Sequence, residues 1–203
     1  YEGFVDWMSQ FVKGLDIKNI TLFCQDWGGL IGLRLAAKFE DRFEKIVTAN
    51  TGLPTGKAQL SDAFGVFREF LQIKPDLHVG GQVRNGTTIG INDDALAAYN
   101  APFPNEDHKQ GVRQFPNLVP ATLRTPSAEP NKEAWNILRQ WEKPFLCAFS
   151  DKDPIFAGVE NSFLKLVPGC KDMPHVTIEN AGHFLQEDQP EACVDAILSI
   201  KEL

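Results

Sequence analysis

The sequence lacks most of what a membrane or nucleic-acid-binding protein requires. It contains no apolar run of about 18 residues, the length that spans a bilayer, and no signal-peptide pattern. Lys and Arg number 20 against 27 Asp and Glu, giving a net charge of −7. The basic residues form no cluster that could displace counterions from a polyanion. Nucleic acid and membrane surfaces are therefore excluded as partners, and a small molecule is expected. Cysteine is sparse: Cys24, Cys147, Cys170 and Cys193 stand at no CxxC or metal-ligand spacing. Three of them lie in apolar stretches, as expected of reduced, buried thiols in a cytoplasmic protein. His78, His108 and His175 also lack partners at metal-ligand spacing, so neither a metal nor an organic cofactor is implied. Tyrosine is limited to Tyr1 and Tyr99. Internal repeats and low-complexity segments are absent.

At 203 residues, with 43% hydrophobic and 23% charged content, the chain is long enough for one domain with an insertion. It opens on Tyr1, already inside an amphipathic helix over Tyr1 to Leu15, which suggests a piece of a longer protein. Lys18 to Cys24 reads as a buried strand, Gly28 to Phe39 as a helix and Glu44 to Asn50 as a second strand. This is the strand–helix–strand unit of a parallel sheet. From Pro54 to about Asn131 the rhythm breaks into a Pro/Gly-rich region, with helical stretches only near Ser61–Leu71 and Asp93–Tyr99. Its Ala101-Pro102-Phe103-Pro104-Asn105 favours extended or turn backbone. Alternation resumes with a helix over Lys132–Trp141, a strand over Pro144–Phe149, a helix near Val159–Leu166, a strand over His175–Glu179 and a helix from Pro190 to Ile200. The expected organisation is an α/β core in two parts, residues 1–53 and 132–203, around an insertion at 54–131.

The first strand runs into the first helix through Leu22-Phe23-Cys24-Gln25-Asp26-Trp27-Gly28-Gly29-Leu30. In a nucleophile elbow the reactive side chain stands at the apex of such a turn, with small residues letting strand and helix approach. Serine is usual at the apex. A carboxylate instead displaces a leaving group from an sp3 carbon, forming an ester that water must clear. That suits alkyl halides or epoxides, although an Asp at a helix start can equally be a simple N-cap. Ester hydrolysis needs a base, best a histidine held by a second carboxylate. Asn180-Ala181-Gly182-His183 follows one strand, and Ser150-Asp151-Lys152-Asp153-Pro154 follows another. Asp26, these acids and His183 thus reach the carboxyl edge of the sheet, where ligands bind in open α/β folds. Their chain order is nucleophile, acid, base.

The stretches CQDWGGLIGLRLAA, NAPFPNEDHKQGVRQFP, PFLCAFSDKDPI and NAGHFLQED together resemble the haloalkane dehalogenases of the α/β-hydrolase superfamily, over essentially the whole chain. The resemblance implies an α/β-hydrolase fold with a helical cap inserted at 54–131. It makes Asp26 the nucleophile, His183 the base that activates water and Asp153, rather than Asp151, the acid that orients His183. The Trp27 indole would receive the leaving halide and its backbone N–H would help form the oxyanion hole. The implied partners are a small apolar halogenated substrate, water and halide ion, and no subunit number follows. Phe64, Phe67, Phe70, Phe103 and Phe156 are candidate walls of an apolar cavity, though aromatic residues at such spacing also serve simply as core.

Two departures from the family stand out. Phe67 aligns where this subgroup carries a second halide-binding tryptophan on the first cap helix, and phenylalanine has no N–H. A lost hydrogen bond to an ion costs about 1.5–3 kcal/mol, a factor of roughly ten to a hundred in the leaving-group step. Trp135 and Trp141, on the helix leading back to the core, are not expected to substitute. The resemblance also begins just before the nucleophile strand, so the earlier strands and their oxyanion-hole loop are expected in a longer natural protein. Without them this chain would expose apolar surface and fold poorly or associate. An epoxide hydrolase would share the Asp/His/Asp set but needs cap tyrosines, and only Tyr99 lies in the insertion. A truncated, catalytically impaired homologue is the non-enzymatic alternative.

Overall fold

The computed structural model describes residues 1–57 and 59–200. Strands Ile20–Gln25 (β1), Phe43–Ala49 (β2), Phe145–Ser150 (β3) and Val176–Ile178 (β4) pair side by side in chain order, each pair parallel. Before and within the first half run helices α1 (Glu2–Gly14) and α2 (Trp27–Lys38). Between β2 and β3 lie α3 (Asp62–Ile73), α4 (Val79–Asn85), α5 (Asp93–Asn100), α6 (Gln110–Leu118) and α7 (Ala128–Leu138). The last part adds α8 (Glu160–Leu166), α9 (Leu185–Asp188) and α10 (Pro190–Ser199). No helix among the described residues is long and apolar enough to cross a membrane.

β3 is a nearly continuous apolar run and β2 is buried from Ile46 to Ala49, because helices cover both faces of the sheet. On one face Leu33, Leu35 and Ala36 of α2 pack with Trp135 and Leu138 of α7, and with Phe163 of α8, against Phe43, Ile46 and Phe145. On the other, Cys193 and Ala196 of α10, with Leu185 and Ile200, pack against Val47, Leu146 and Ala148. All four cysteines are free and buried. His175 accepts a hydrogen bond at Nδ1 from the Cys147 backbone N–H (3.0 Å) and meets the Cys170 carbonyl through Nε2 (2.8 Å), pinning β3 to the turn before β4. The outer strand β1 is only half-buried along most of its length. Phe4, Trp7, Phe11 and Leu15 form an apolar stripe on and just after α1, with Trp7 66% exposed.

Register carries the chemistry to one edge. Gln25 pairs with Ala49 and Ser150 with Ile178, so the residues that follow β1, β2, β3 and β4 emerge side by side. Three of the turns there use positive φ at non-glycine positions: Asp26 (46°), Asn50 (38°) and Asn180 (56°). Asn and Asp tolerate this region better than other residues.

The long segment between β2 and β3 is more helical than its composition predicts. α4 is disguised by Gly80 and Gly81, and α6 by Gly111 and an internal Pro116. α7 begins at Ala128 rather than Lys132, with Pro130 in its first turn, where a missing N–H breaks no intrahelical bond. The Ala101–Asn105 stretch is a turn, as its prolines suggest.

Candidate active site

Asp26 stands at the turn between β1 and α2. Its backbone N–H donates to the Asn50 carbonyl (3.0 Å), and the Thr51 hydroxyl donates to the Asp26 carbonyl (2.7 Å). α2 starts so close to Thr51 that a Cβ on Gly29 would lie 2.0 Å from the Thr51 hydroxyl oxygen, so only glycine fits there. Asp26 occupies the N-cap position of α2 without a side-chain capping bond. The nearby Trp27 backbone N–H favours the charged form of the Asp26 carboxyl.

Asp153 follows β3 and is 3% exposed. Its Oδ2 lies 2.9 Å from His183 Nδ1, while Oδ1 accepts the Ile155 backbone N–H (2.8 Å). A carboxylate partner places the imidazole proton on Nδ1 and leaves Nε2 with a lone pair. Asp151, the other acid of the stretch, is occupied elsewhere: it accepts the Ala181 N–H (3.2 Å) and pairs with Lys152 (2.8 Å). Phe156 stacks on the His183 ring (centroids 5.8 Å apart, 15° between planes), and Phe184 meets it edge-on at 4.8 Å.

Sequence reasoning missed two supporting residues. Asn50, fully buried, accepts the Ser150 N–H (2.9 Å) and donates to the Ser150 hydroxyl (2.8 Å) and to the carbonyls of Gly182 (3.0 Å) and His183 (3.1 Å). Gln25 donates to the His183 carbonyl (3.0 Å) and its amide nitrogen lies 3.2 Å from His183 Nε2. Their positions at strand ends are visible in the sequence, but their partners lie 100 to 158 residues away.

Asp26, Trp27, Asp153 and His183 line one cavity of about 1190 Å³, together with Phe64, Phe67, Phe103 and Phe156. Phe70 does not line it. Trp27 packs edge-on against Tyr1 (5.1 Å) and Phe115 (4.6 Å). Trp135 reaches the same cavity, but its indole N–H is committed to the Leu53 carbonyl at 2.7 Å. Trp141 is fully buried and not part of the lining. Burial pushes the Asp26 carboxyl above the usual carboxylate range, against the pull of His183 and the Trp27 amide. Burial alone would lower the His183 pKa. The Asp153 bond and the Asp26 and Asp153 charges outweigh it, and the net direction is upward from 6.5.

A carboxylate at a strained turn thus faces a cavity that it shares with a histidine–aspartate pair, on the carboxyl edge of a parallel sheet. The alpha/beta hydrolase fold family model matches residues 1–190, and within that fold the chain belongs to the haloalkane dehalogenase family. It is 50% identical over 191 residues to a haloalkane dehalogenase of Psychrobacter cryohalolentis, covering 94% of this chain and 63% of that protein. With the haloalkane dehalogenase of Mycobacterium marinum it shares 39% identity, over 98% of this chain and 67% of the relative. A solved structure, the tetrameric haloalkane dehalogenase DpaA from Paraglaciecola agarilytica, superposes with a TM-score of 0.86 at 32% identity, covering 96% of this chain and 65% of that one. The chain thus spans about two thirds of the length of these relatives.

The His183 ring should titrate with a midpoint above 6.5, because a group stabilised in its charged form gives up its proton at higher pH. Asp153→Asn removes that stabilisation and should move the midpoint down. Imidazole NMR of both proteins over pH 5–9 checks this, and an unchanged midpoint contradicts the assigned pair.

Proposed function

We propose that this chain carries the catalytic residues of a hydrolase acting on carbon–halide bonds, with residues 54–131 forming a cap over a core built from 1–53 and 132–203. The observation that carries the reading is the residue type at the strained turn: a carboxylate, facing the same cavity as the His183–Asp153 pair. An Asp26 oxygen attacks the halogen-bearing sp3 carbon, the carbon–oxygen bond forms and halide leaves with the bonding electrons. The Trp27 indole N–H, on the residue next to the nucleophile, is the donor for the departing halide. His183 Nε2 then takes a proton from water, whose oxygen attacks the Asp26 ester carbonyl. The alcohol departs, the carboxylate returns, and the proton passes from His183 to solvent. Asp153 keeps the ring in the tautomer that leaves Nε2 free to act. The aromatic walls favour a small apolar halogenated substrate.

Epoxide hydrolysis would use the same nucleophile and base but needs hydroxyl donors over the ring oxygen. Tyr99 donates instead to Glu187 (2.5 Å) and Tyr1 to the Leu30 carbonyl (2.5 Å), and neither lines the cavity. A second reading, an impaired homologue, is favoured by Phe67, which lines the cavity where a second indole is expected.

With the natural full-length protein, 1,2-dibromoethane should yield bromide and a simple epoxide should yield no diol. Asp26→Asn should abolish bromide release, and release at the wild-type rate in that variant overturns the mechanism. Phe67→Trp should tighten bromide binding about ten- to a hundredfold, the value of one charge-assisted hydrogen bond. Bromide quenching of tryptophan fluorescence reads this, and unchanged affinity would separate Phe67 from the halide site.

A further inference from the structure

Asp188, the last residue of α9, is 5% exposed and has no cation partner among the described residues. Its carboxylate is filled by backbone N–H groups from two distant parts of the chain. Oδ2 accepts Gly182 (2.8 Å) and Thr88 (2.9 Å), and Oδ1 accepts Thr88 (3.0 Å) and Ile89 (3.0 Å). Gly182 immediately precedes His183, while Thr88 and Ile89 belong to the segment just after α4 in the cap. A buried carboxylate holding three amide donors fixes all three, because any donor that leaves exposes charge to an apolar surround.

The neighbouring contacts run the same way. The Phe184 N–H donates to the Gly86 carbonyl (3.2 Å), and the Thr88 hydroxyl donates to the Asn180 carbonyl (2.5 Å). A Cβ on Gly182 would lie 2.4 Å from the Gly86 carbonyl oxygen, so the two backbones touch. Gly86, Thr87 and Thr88 also line the cavity beside His183 and Phe184. The segment that walls the substrate space and the loop that carries the base are thus clamped to one side chain.

We infer that Asp188 is a positioning residue for His183, setting the imidazole against Asp153 and against the cavity wall through this clamp. The inference rests on His183 being the base proposed above. Halide displacement by Asp26 does not use His183, whereas ester hydrolysis does. Loosening the clamp therefore acts on the second step and not the first. Asp188→Asn puts an amide N–H against a backbone N–H and loses the charge. Ile89→Pro removes a donor from the cap side, outside the cavity lining, and leaves every charge in place.

In the full-length protein with 1,2-dibromoethane, rapid-quench kinetics separate the bromide burst from decay of the Asp26 ester. Both variants should slow ester decay about tenfold or more and leave the burst nearly unchanged. In both, the NMR titration midpoint of His183 should fall towards 6.5 as the Asp153 bond loosens. Equal slowing of the two steps would make Asp188 a mere support of the fold and overturn the inference. So would wild-type ester decay in a folded variant, or an effect seen in Asp188→Asn but not in Ile89→Pro. If the wild type forms no ester on Asp26, it is the proposed function that fails. The His183 midpoint then decides alone: a fall in both variants upholds positioning, and no shift overturns it.

Discussion

Two hydrogen bonds join the turn after β1 to the turn after β2: the Asp26 N–H to the Asn50 carbonyl, and the Thr51 hydroxyl to the Asp26 carbonyl. They hold Asp26 at φ 46°, a conformation that costs of order 1–3 kcal/mol and persists only when its surroundings enforce it. The side chain of Asn50 then extends the same hold to Ser150 after β3 and to the carbonyls of Gly182 and His183. One dipeptide, Asn50-Thr51, thus fixes the candidate nucleophile relative to the loops that carry acid and base. Replacing Gly29 by any larger residue would force α2 away from Thr51 and release the turn.

The electrostatics follow from that placement. The side chains of Asp153 and His183 are 1% and 14% exposed, so their contact is little screened by solvent. Two carboxylates facing one imidazole favour its charged form, while burial opposes every charge in the group. In the proposed mechanism, a base whose pKa sits above that of free histidine takes a proton from water more readily. In that mechanism Asp26 becomes a neutral ester, which removes one of the two charges that favour the charged imidazole.

Much of this was legible in the sequence because it is local. The strands β1 and β3 are mainly apolar runs, β2 contains a shorter one, and Asp26, Asp153 and His183 stand one, three and five residues past strand ends. The family resemblance points to Asp153 over Asp151, and Asp153 is the one hydrogen-bonded to His183. What stayed hidden is non-local. Asn50 and Asp188 look like ordinary polar residues after a strand and in a short helix, and only the fold brings their partners near. α4 and α6 were hidden by glycine and proline, whose local cost is outweighed by packing against the rest of the segment. Phe70 lies near Phe67 in sequence but does not reach the cavity.

In the proposed mechanism a protein carboxylate, not water, makes the first bond to substrate carbon. Under a single turnover in H2¹⁸O, with the full-length protein in excess over 1,2-dibromoethane, the alcohol oxygen should be of ordinary mass. The label should appear in the peptide bearing Asp26. Alcohol carrying ¹⁸O in that first turnover, with Asp26 unlabelled, would show direct attack by water and contradict it.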